Sequence, residues 1–370
     1  MSMLTTLVSI SLPWVLLAFV AHYIVSYIMY FDLNKRAYNH IPGQCQSIAG
    51  IEDGAEDVEL LSDGLAVFTT GLKLYPTPEL NSTIKGKIYL YNFTGNTAWE
   101  LTVNAKGRMS MKSFNPHGIT AWTGKKGKTF VYIINHHPKG DRIEVFVLDK
   151  ERKHINHTKT IRDKEKFLNL NSIAAIATDK LYITNFHYFN KSWARETEMY
   201  LGLKVGSVLF HNGSHTTYVK RWIQSPSGLA LDKTRRYIYV SNLLAESVQV
   251  YKIESYSNGT ISLYDTIELK TSPENVFSDP VTGDLWVACH PVKFRYFSHE
   301  KRPKSVMSPS QVLQLKGRPT RRTWTANEVF ASDGATLSGG SVAVRFKDQI
   351  LIGSLHDKLL KCELLYPELY

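Results

Sequence analysis

The acidic pair Glu56 and Asp57 in "GIEDGAEDVELL", and Glu274 with Asn275 in "SPENVF", stand directly before apolar runs, where strands begin. "FLNLNSIAAI" sets Asn169, Asn171 and Ser172 against the same kind of run, with no carboxylate beside them. Carboxylate and amide oxygens are the ligands that a hard cation such as calcium takes. Glu56, Asn171, Glu274 and Asn275 brought to one point would therefore make an oxygen-rich cage. His117 opens a comparable segment in "SFNPHGIT", and His136 and His137 close one in "YIINHHPKG". Imidazole titrates near neutrality, so two histidines meeting over one opening can pass a proton from an attacking water. Taken singly, the acids read as surface charge and each histidine as a satisfied structural side chain; only convergence turns them into a site. No Gly-x-Ser-x-Gly elbow, Walker loop, zinc-spaced Cys/His set or dinucleotide fingerprint occurs in the sequence.

Convergence needs a frame, and the chain supplies a repeat. A small residue, a short apolar strand, a polar turn and a strongly β-prone strand recur in "DGLAVFTTGL", "HGITAWTGKKGKTFVYIIN", "SIAAIATDKLYITN", "SGLALDKTRRYIYVSN", "ENVFSDPVTGDLWVAC" and "GSVAVRFKDQILIGS". A mean spacing of about 50 residues suits a four-stranded propeller blade, whose leading strand ends converge on a central tunnel. The expected fold is an all-β, six-bladed β-propeller preceded by one N-terminal transmembrane helix. Beyond that helix the best helical candidate is "KSWARETEMYLGL", with Trp193, Met199 and Tyr200 packing as a short lid; core packing is favoured over membrane or substrate contact.

From Met3 to Phe31 there is no Asp, Glu, Lys or Arg, a stretch long enough to cross a bilayer as a helix. It lacks the basic start, short apolar region and small-residue cleavage site of a removable signal, and reads as a retained anchor. Trp14, Tyr23, Tyr27, Tyr30 and Phe31 suit membrane interfaces, and Pro13 can begin or kink the helix. The expected division is a short tail over 1–6, the anchor over 7–31, a linker over 32–44, the propeller over 45–363 and a tail over 364–370. Lys35 and Arg36 follow the span with no basic side chain before it, which by the positive-inside rule directs the body to the cytosol. Six N-x-[ST] sequons, at Asn81, Asn92, Asn156, Asn190, Asn212 and Asn258, argue instead for a luminal or extracellular body. The net charge of +11 is scattered along the chain, which speaks against nucleic-acid binding. Its densest stretch, "HEKRPKSVMSPSQVLQLKGRPTRR", reads as a solvated loop. Of three cysteines, Cys45 follows the anchor, Cys362 lies near the end and Cys289 sits in "DLWVACHP". Either Cys45 bonds Cys362 and closes the chain into a ring, or all three are buried thiols.

"GIEDGAEDVELLSDGLAVFTTGLK", "SFNPHGIT", "NLNSI", "MYLGL", "DPVTGDLWVACHP" and "KCELL" together resemble, in matching order from Cys45 to Cys362, the paraoxonase (arylesterase/lactonase) family. The resemblance implies a six-bladed propeller, a Cys45–Cys362 disulfide, a free Cys289, two calcium ions in the tunnel and a retained hydrophobic N-terminus. It assigns Glu56, Asn171, Ser227, Glu274 and Asn275 to a catalytic calcium, with His117 and His136 as a histidine dyad. It assigns Asp57, the carbonyl of Ile119 and Ser172 to a structural calcium. The sequence departs from the family at several of these positions. Ser227 replaces an asparagine, Glu274 an aspartate, Ser172 an aspartate and Phe186 an acid. With half its acidic ligands gone the structural calcium is expected to be weak or absent, leaving between zero and two ions, with one favoured over two. Within the family, an anchored body with eroded ligands looks like the nematode paraoxonase-like membrane proteins. Those assist degenerin/epithelial sodium channels in touch-receptor neurons as folding and assembly factors. The implied function is a chaperone or accessory subunit for such a channel, in the endoplasmic reticulum or plasma membrane. The alternative is a membrane-bound calcium-dependent lactonase or arylesterase.

Overall fold

The computed structural model describes residues 3–74, 77, 79–80 and 84–367. The β-prone segments form six sheets arranged as the blades of a propeller, each with four strands in antiparallel succession outward from the tunnel; the second blade adds a fifth, Thr102–Asn104, parallel to His154–Ile161 at its outer edge. Burial falls from inside to outside. In the third blade the innermost strand, Leu170–Ala177, is buried along almost its whole length, while the outermost, Thr216–Ile223, is largely exposed. A strand covered on both faces carries a continuous apolar run, and for this reason the inner strands stood out in the sequence. Five of the six repeats begin on innermost strands: Pro116–Thr123, Leu170–Ala177, Pro226–Leu231, Ser272–Ser278 and Gly340–Phe346. "DGLAVFTTGL" differs. It forms the second strand of its blade, Leu65–Thr70, because the innermost one, Val58–Leu60, has only three residues and carries no β pattern of its own.

The ring closes across the two ends of the chain. Cys45–Ser47 is the outermost strand of the last blade, pairing antiparallel with Leu360–Glu363 so that Cys45 faces Cys362. The two are joined by a disulfide, and Cys289 is a buried free thiol. Between adjacent blades lie apolar seams; Ile134, Ile143, Ile173, Leu181 and Ile183 fill one of them, all buried. Truncating such a side chain costs about 2–5 kcal/mol.

One irregularity recurs and creates the site. The pairing of inner strand to second strand skips between Pro116 and Ile119, Leu170 and Ile173, Pro226 and Leu229, Pro273 and Val276, and Gly340 and Val342. Each skip is a bulge at the leading end of a blade, where the ladder opens and side chains are re-aimed. His117, Asn171, Ser172, Ser227, Glu274 and Asn275 all lie inside these bulges. The blades also come unusually close here: a Cβ at Gly118 would collide with the Asn171 carbonyl, and one at Gly228 would lie 2.6 Å from the Asn275 Cα.

Helix α1, Met3–Tyr30, is followed by a Schellman turn, with Asp32 left-handed at φ 58°, Asp32 N–H donating to Met29 O and Leu33 N–H to Ile28 O. Leu12–Tyr30 is long and apolar enough to cross a membrane, as in a single-pass or signal-anchor protein. The segment over 32–44 lies along the propeller. Lys35 contacts Asp32 at 2.7 Å and Glu246 at 3.3 Å, Tyr38 donates to Glu328, and His40 exchanges both backbone hydrogen bonds with Ala331. Two short helices cover the mouth of the tunnel: α2, Ser192–Tyr200, and α3, Lys293–Lys301. In α2 only part of the expected packing occurs. Met199 is buried, while Trp193 is 69% exposed because it lies on the opposite face from Ala194 and Glu198. The basic stretch expected as a solvated loop is one only in part: residues 302–309 are irregular, with Arg302 and Lys304 exposed, but they lie between the end of α3 and the strand Ser310–Arg318, which is paired on both sides.

Candidate functional site at the tunnel mouth

His117 and His136 meet because their strands are antiparallel neighbours, with Pro116 opposite Asn135. His136 N–H donates to the Asn115 carbonyl, and Asn115 N–H to the Asn135 side chain, which fixes the loop that carries His136. His117 Nδ1 lies 2.8 Å from His136 Nε2, and His136 Nδ1 lies 2.9 Å from Asp141 Oδ1. Asp141 is held by the Leu170 N–H on its other oxygen. An imidazole whose Nδ1–H donates to a carboxylate presents Nε2 as an acceptor. His136 therefore accepts from His117 Nδ1–H, and the His117 Nε2 lone pair points inward. There it faces Glu56 Oε2 at 3.4 Å, and neither atom has a hydrogen-bond partner.

Two acceptors confronting one another below the surface call for a proton or a cation between them. The same requirement appears next door. Glu274 Oε2 and Asn171 Oδ1 are also buried without hydrogen-bond partners, and Glu274 Oε2 is 3.3 Å from an equally unpartnered His290 Nε2. Burial, then the charge of Glu56, push the Glu274 carboxyl up to about 8. Burial pushes His290 down to about 3, so its ring, stacked on Tyr296 at 4.0 Å, is neutral. Glu300, whose carboxylate accepts from the Tyr296 hydroxyl, is raised to about 8 by burial and then by Glu274. Three unpaired hard oxygens from Glu56, Asn171 and Glu274 fit one calcium ion in donor type and charge.

Two further sequence-expected ligands have other employment. The Ser227 hydroxyl bonds Ser241 and the carbonyls of Pro273 and Glu274, so the shorter side chain is spent on the neighbouring blade. Asn275 turns its amide nitrogen to Glu56, donating to the backbone oxygen at 3.1 Å and to Oε1 at 2.7 Å, and thereby positions Glu56. The second calcium position does not fit an ion. Asp57 accepts the N–H groups of Val58 and Ile119, one on each oxygen, and Ser172 Oγ accepts from Leu229 N–H. One carboxylate remains there, its pKa raised by burial and by Glu56. Among the described residues no three His, Cys, Asp or Glu side chains gather as a metal-binding group.

The mouth is a cavity of about 170 Å³ whose wall includes His117, His136, Asn171, Phe186, Glu274 and Tyr296. Phe186, at the position where an acid was expected, joins Phe31, Met199 and Tyr296 in an apolar cluster. A wider cavity of about 420 Å³, at the far ends of the inner strands, holds Asp57, Glu59 and Ile119. Asp141, His290, Tyr296 and Glu300 were not singled out in the sequence. His290 was visible in "VACHP" and Asp141 five residues beyond His136, but Tyr296 and Glu300 ride on α3, whose sequence carries no helix signal. Of the sequons, Asn190 and Asn258 are exposed; Asn92, Asn156 and Asn212 are half-buried; Asn81 lies outside the described residues.

Known proteins share this arrangement of blades. The structure aligns with a luciferin-regenerating enzyme at a TM-score of 0.54 and 14% identity, covering 87% of this chain and 96% of that one, a likeness of fold alone. Mechanosensory abnormality protein 6 of Caenorhabditis elegans is 31% identical over 366 residues, spanning 95% of this chain and 94% of its own. Human serum paraoxonase/arylesterase 1 is 34% identical over 323 residues, spanning 86% and 88%. The arylesterase family profile matches residues 23–364, from within the anchor to just past the closing disulfide, and the chain belongs to that family.

Proposed function

We propose that the protein is a membrane-anchored accessory or assembly factor that promotes folding and surface delivery of a degenerin-type sodium channel. The observation that carries this reading is the similarity to mechanosensory abnormality protein 6, which spans 95% of this chain. Loss of the second cation position and diversion of Ser227 agree with a fold freed from part of its ligand chemistry. In this reading the propeller is luminal or extracellular and carries glycans at Asn92, Asn156, Asn190, Asn212, Asn258 and Asn81. Glycosidase treatment then increases gel mobility, and unchanged mobility would refute the orientation. Deleting the gene should lower channel protein at the surface and channel current together; unchanged amounts of both would refute the role.

A second reading, calcium-dependent hydrolysis of lactones or aryl esters, is favoured by the Asp141–His136–His117 relay. A bound calcium would polarise the ester carbonyl and stabilise the developing oxyanion. Glu56, Glu274 and Asn171 would hold it. Asp141 fixes the tautomer of His136, His136 accepts the Nδ1 proton side of His117, and His117 Nε2 is left as the base for water. The full-length protein assayed over a panel of aryl esters and lactones should then turn over only with calcium. Activity should disappear in His117→Gln, and no turnover across the panel removes this reading.

A further inference from the structure

We propose that the protein binds a small soluble polyanion, carrying two or more sulfate or phosphate groups, in a basic cavity beside the tunnel mouth. The cavity, about 1010 Å³, is lined by the cationic side chains Arg108, Lys139, Arg142, Arg162, Lys164 and Arg195, against the three acids Asp141, Glu144 and Asp163. The acids are already engaged. Asp141 holds His136 and Leu170 N–H; Glu144 accepts from Asn135 and Thr160 and pairs with His157; Asp163 takes the N–H groups of Glu165 and Lys166 and the Lys166 ammonium. Every carboxylate oxygen in the wall thus has a partner that is not one of the six cations. Among the described residues, no carboxylate lies within ion-pair distance of Arg108, Lys139, Arg142, Arg162 or Lys164.

Arg142 is the centre of this imbalance. It is 7% exposed, and its guanidinium donates from Nε and Nη2 to the Gly140 carbonyl, at 3.3 Å each, where a buried arginine ordinarily meets an acid. Burial and then the adjacent Arg162 hold its pKa below the usual arginine range, and burial followed by Arg142 lowers that of His137 in the same wall. An anion at this point would relieve both. Planar guanidinium forks match tetrahedral oxyanions in paired hydrogen bonds, and the mix of arginine and lysine around a wide cavity suits several such groups better than one. The cavity has room for a ligand of drug or disaccharide size. It shares Asp141, Asn169, His137 and Arg195 with the mouth cavity, so a bound ligand lies against the carboxylate that orients His136. The cavity is independent of the chemistry at the mouth; Asn190, one of the proposed glycan sites, also lines it, so the protein titrated is deglycosylated.

Isothermal titration of the full-length protein in detergent tests the proposal, with inorganic phosphate, pyrophosphate and sucrose octasulfate as probes. Pyrophosphate and sucrose octasulfate should bind saturably, at least about tenfold tighter than phosphate. Arg142→Gln and the exposed Arg162→Gln should each weaken them by about tenfold, the second serving where the buried substitution fails to fold. Lys220→Gln, an equal charge change on the exposed outer strand of the third blade, should leave binding within about twofold. Absence of saturable binding overturns the proposal. So does a Lys220→Gln loss equal to that of Arg162→Gln, which would trace binding to the diffuse charge of +11, or phosphate binding as tightly as pyrophosphate.

Discussion

Asp32 joins the anchor to the tunnel mouth, and its neutralisation has a calculable effect. The residue is 1% exposed. Its Oδ1 lies 2.7 Å from Lys35 Nζ, and its Oδ2 accepts the Lys293 backbone N–H at 3.1 Å and lies 3.4 Å from the Lys293 ammonium, itself buried. Val292, at the N-cap of α3, makes no side-chain cap bond, so Asp32 caps that helix from 261 residues away, and the Phe31 carbonyl accepts the next N–H, of Phe294. Asp32→Asn keeps the size, the tolerance of a left-handed backbone and one acceptor oxygen, and removes only the charge. Losing one member of a buried pair costs about 3–5 kcal/mol; because Glu246 still contacts Lys293, about 2–3 kcal/mol is expected. At 1.4 kcal/mol per decade, α3 should then open about 30- to 150-fold more often. Hydrogen exchange followed by mass spectrometry on the full chain in detergent reads this directly, as lost protection in peptides over residues 293–297. Asp32→Asn combined with Lys293→Met should recover much of it, since the stranded ammonium is gone. Unchanged protection in Asp32→Asn, or simple addition of the two effects, would refute the argument.

Three other expectations follow from the same structure. Calcium in excess of its dissociation constant by about a hundredfold should stabilise the protein by about 2.7 kcal/mol, read as a rise in melting temperature. Glu274→Gln should lose that rise while leaving the calcium-free protein no less stable. Glu300 and Glu274 are raised from 4.5 to about 8, so the folded state keeps protons that the unfolded chain releases. Their contribution is complete below pH 4.5 and is lost as pH rises through 8, by about 1.4 kcal/mol per pH unit for each group. Buried His290 and His356, both held down to about 3, add stability as pH rises to about 6.5 and offset the two glutamates below it. Urea midpoints of the calcium-free protein should therefore fall between about pH 6.5 and pH 8, and less steeply in Glu300→Gln; a flat profile there contradicts the assignment. Opening the Cys45–Cys362 bond, which spans 317 residues, should cost about 5 kcal/mol of unfolding free energy, whereas Cys289→Ser should leave the effect of reductant unchanged.

How far the site was legible follows from where its information resides. His117 and His136 could be found because they flank one antiparallel strand pair, and Glu56, Asn171 and Glu274 because each sits where a polar side chain abruptly begins an apolar run. The choice among neighbours was not local. Ser227 and Asn275 lie in the same kind of bulge as Asn171, yet one bonds Ser241 and two carbonyls and the other holds Glu56, outcomes decided by the approach of adjacent blades. The disulfide was legible as an alternative, and the pairing of the two terminal strands settles it. The basic cavity was hidden because its cations are spread from Arg108 to Arg195 and meet only where the second and third blades adjoin. Helix α3 was hidden for a related reason: its cap lies at the other end of the chain.

That distant cap changes where the anchor ends. The Tyr30 hydroxyl donates to the Met199 carbonyl at 2.8 Å, Phe31 is 4% exposed with its ring 5.7 Å from Tyr200 and 5.9 Å from Phe297, and Asp32 caps α3. By contacts, the last turn of α1 belongs to the propeller, although by composition it belongs to the span. A body cut at Leu33 would expose the apolar seat of Phe31 and leave Lys293 short of a partner. It would also uncap the helix that carries Tyr296 against His290. A body cut at Tyr27 keeps all of these. If the longer body shows greater protection of α3 and the same cation response as the full chain, anchor and mouth form one cooperative unit. Equal protection in the two bodies would reduce the anchor to a tether.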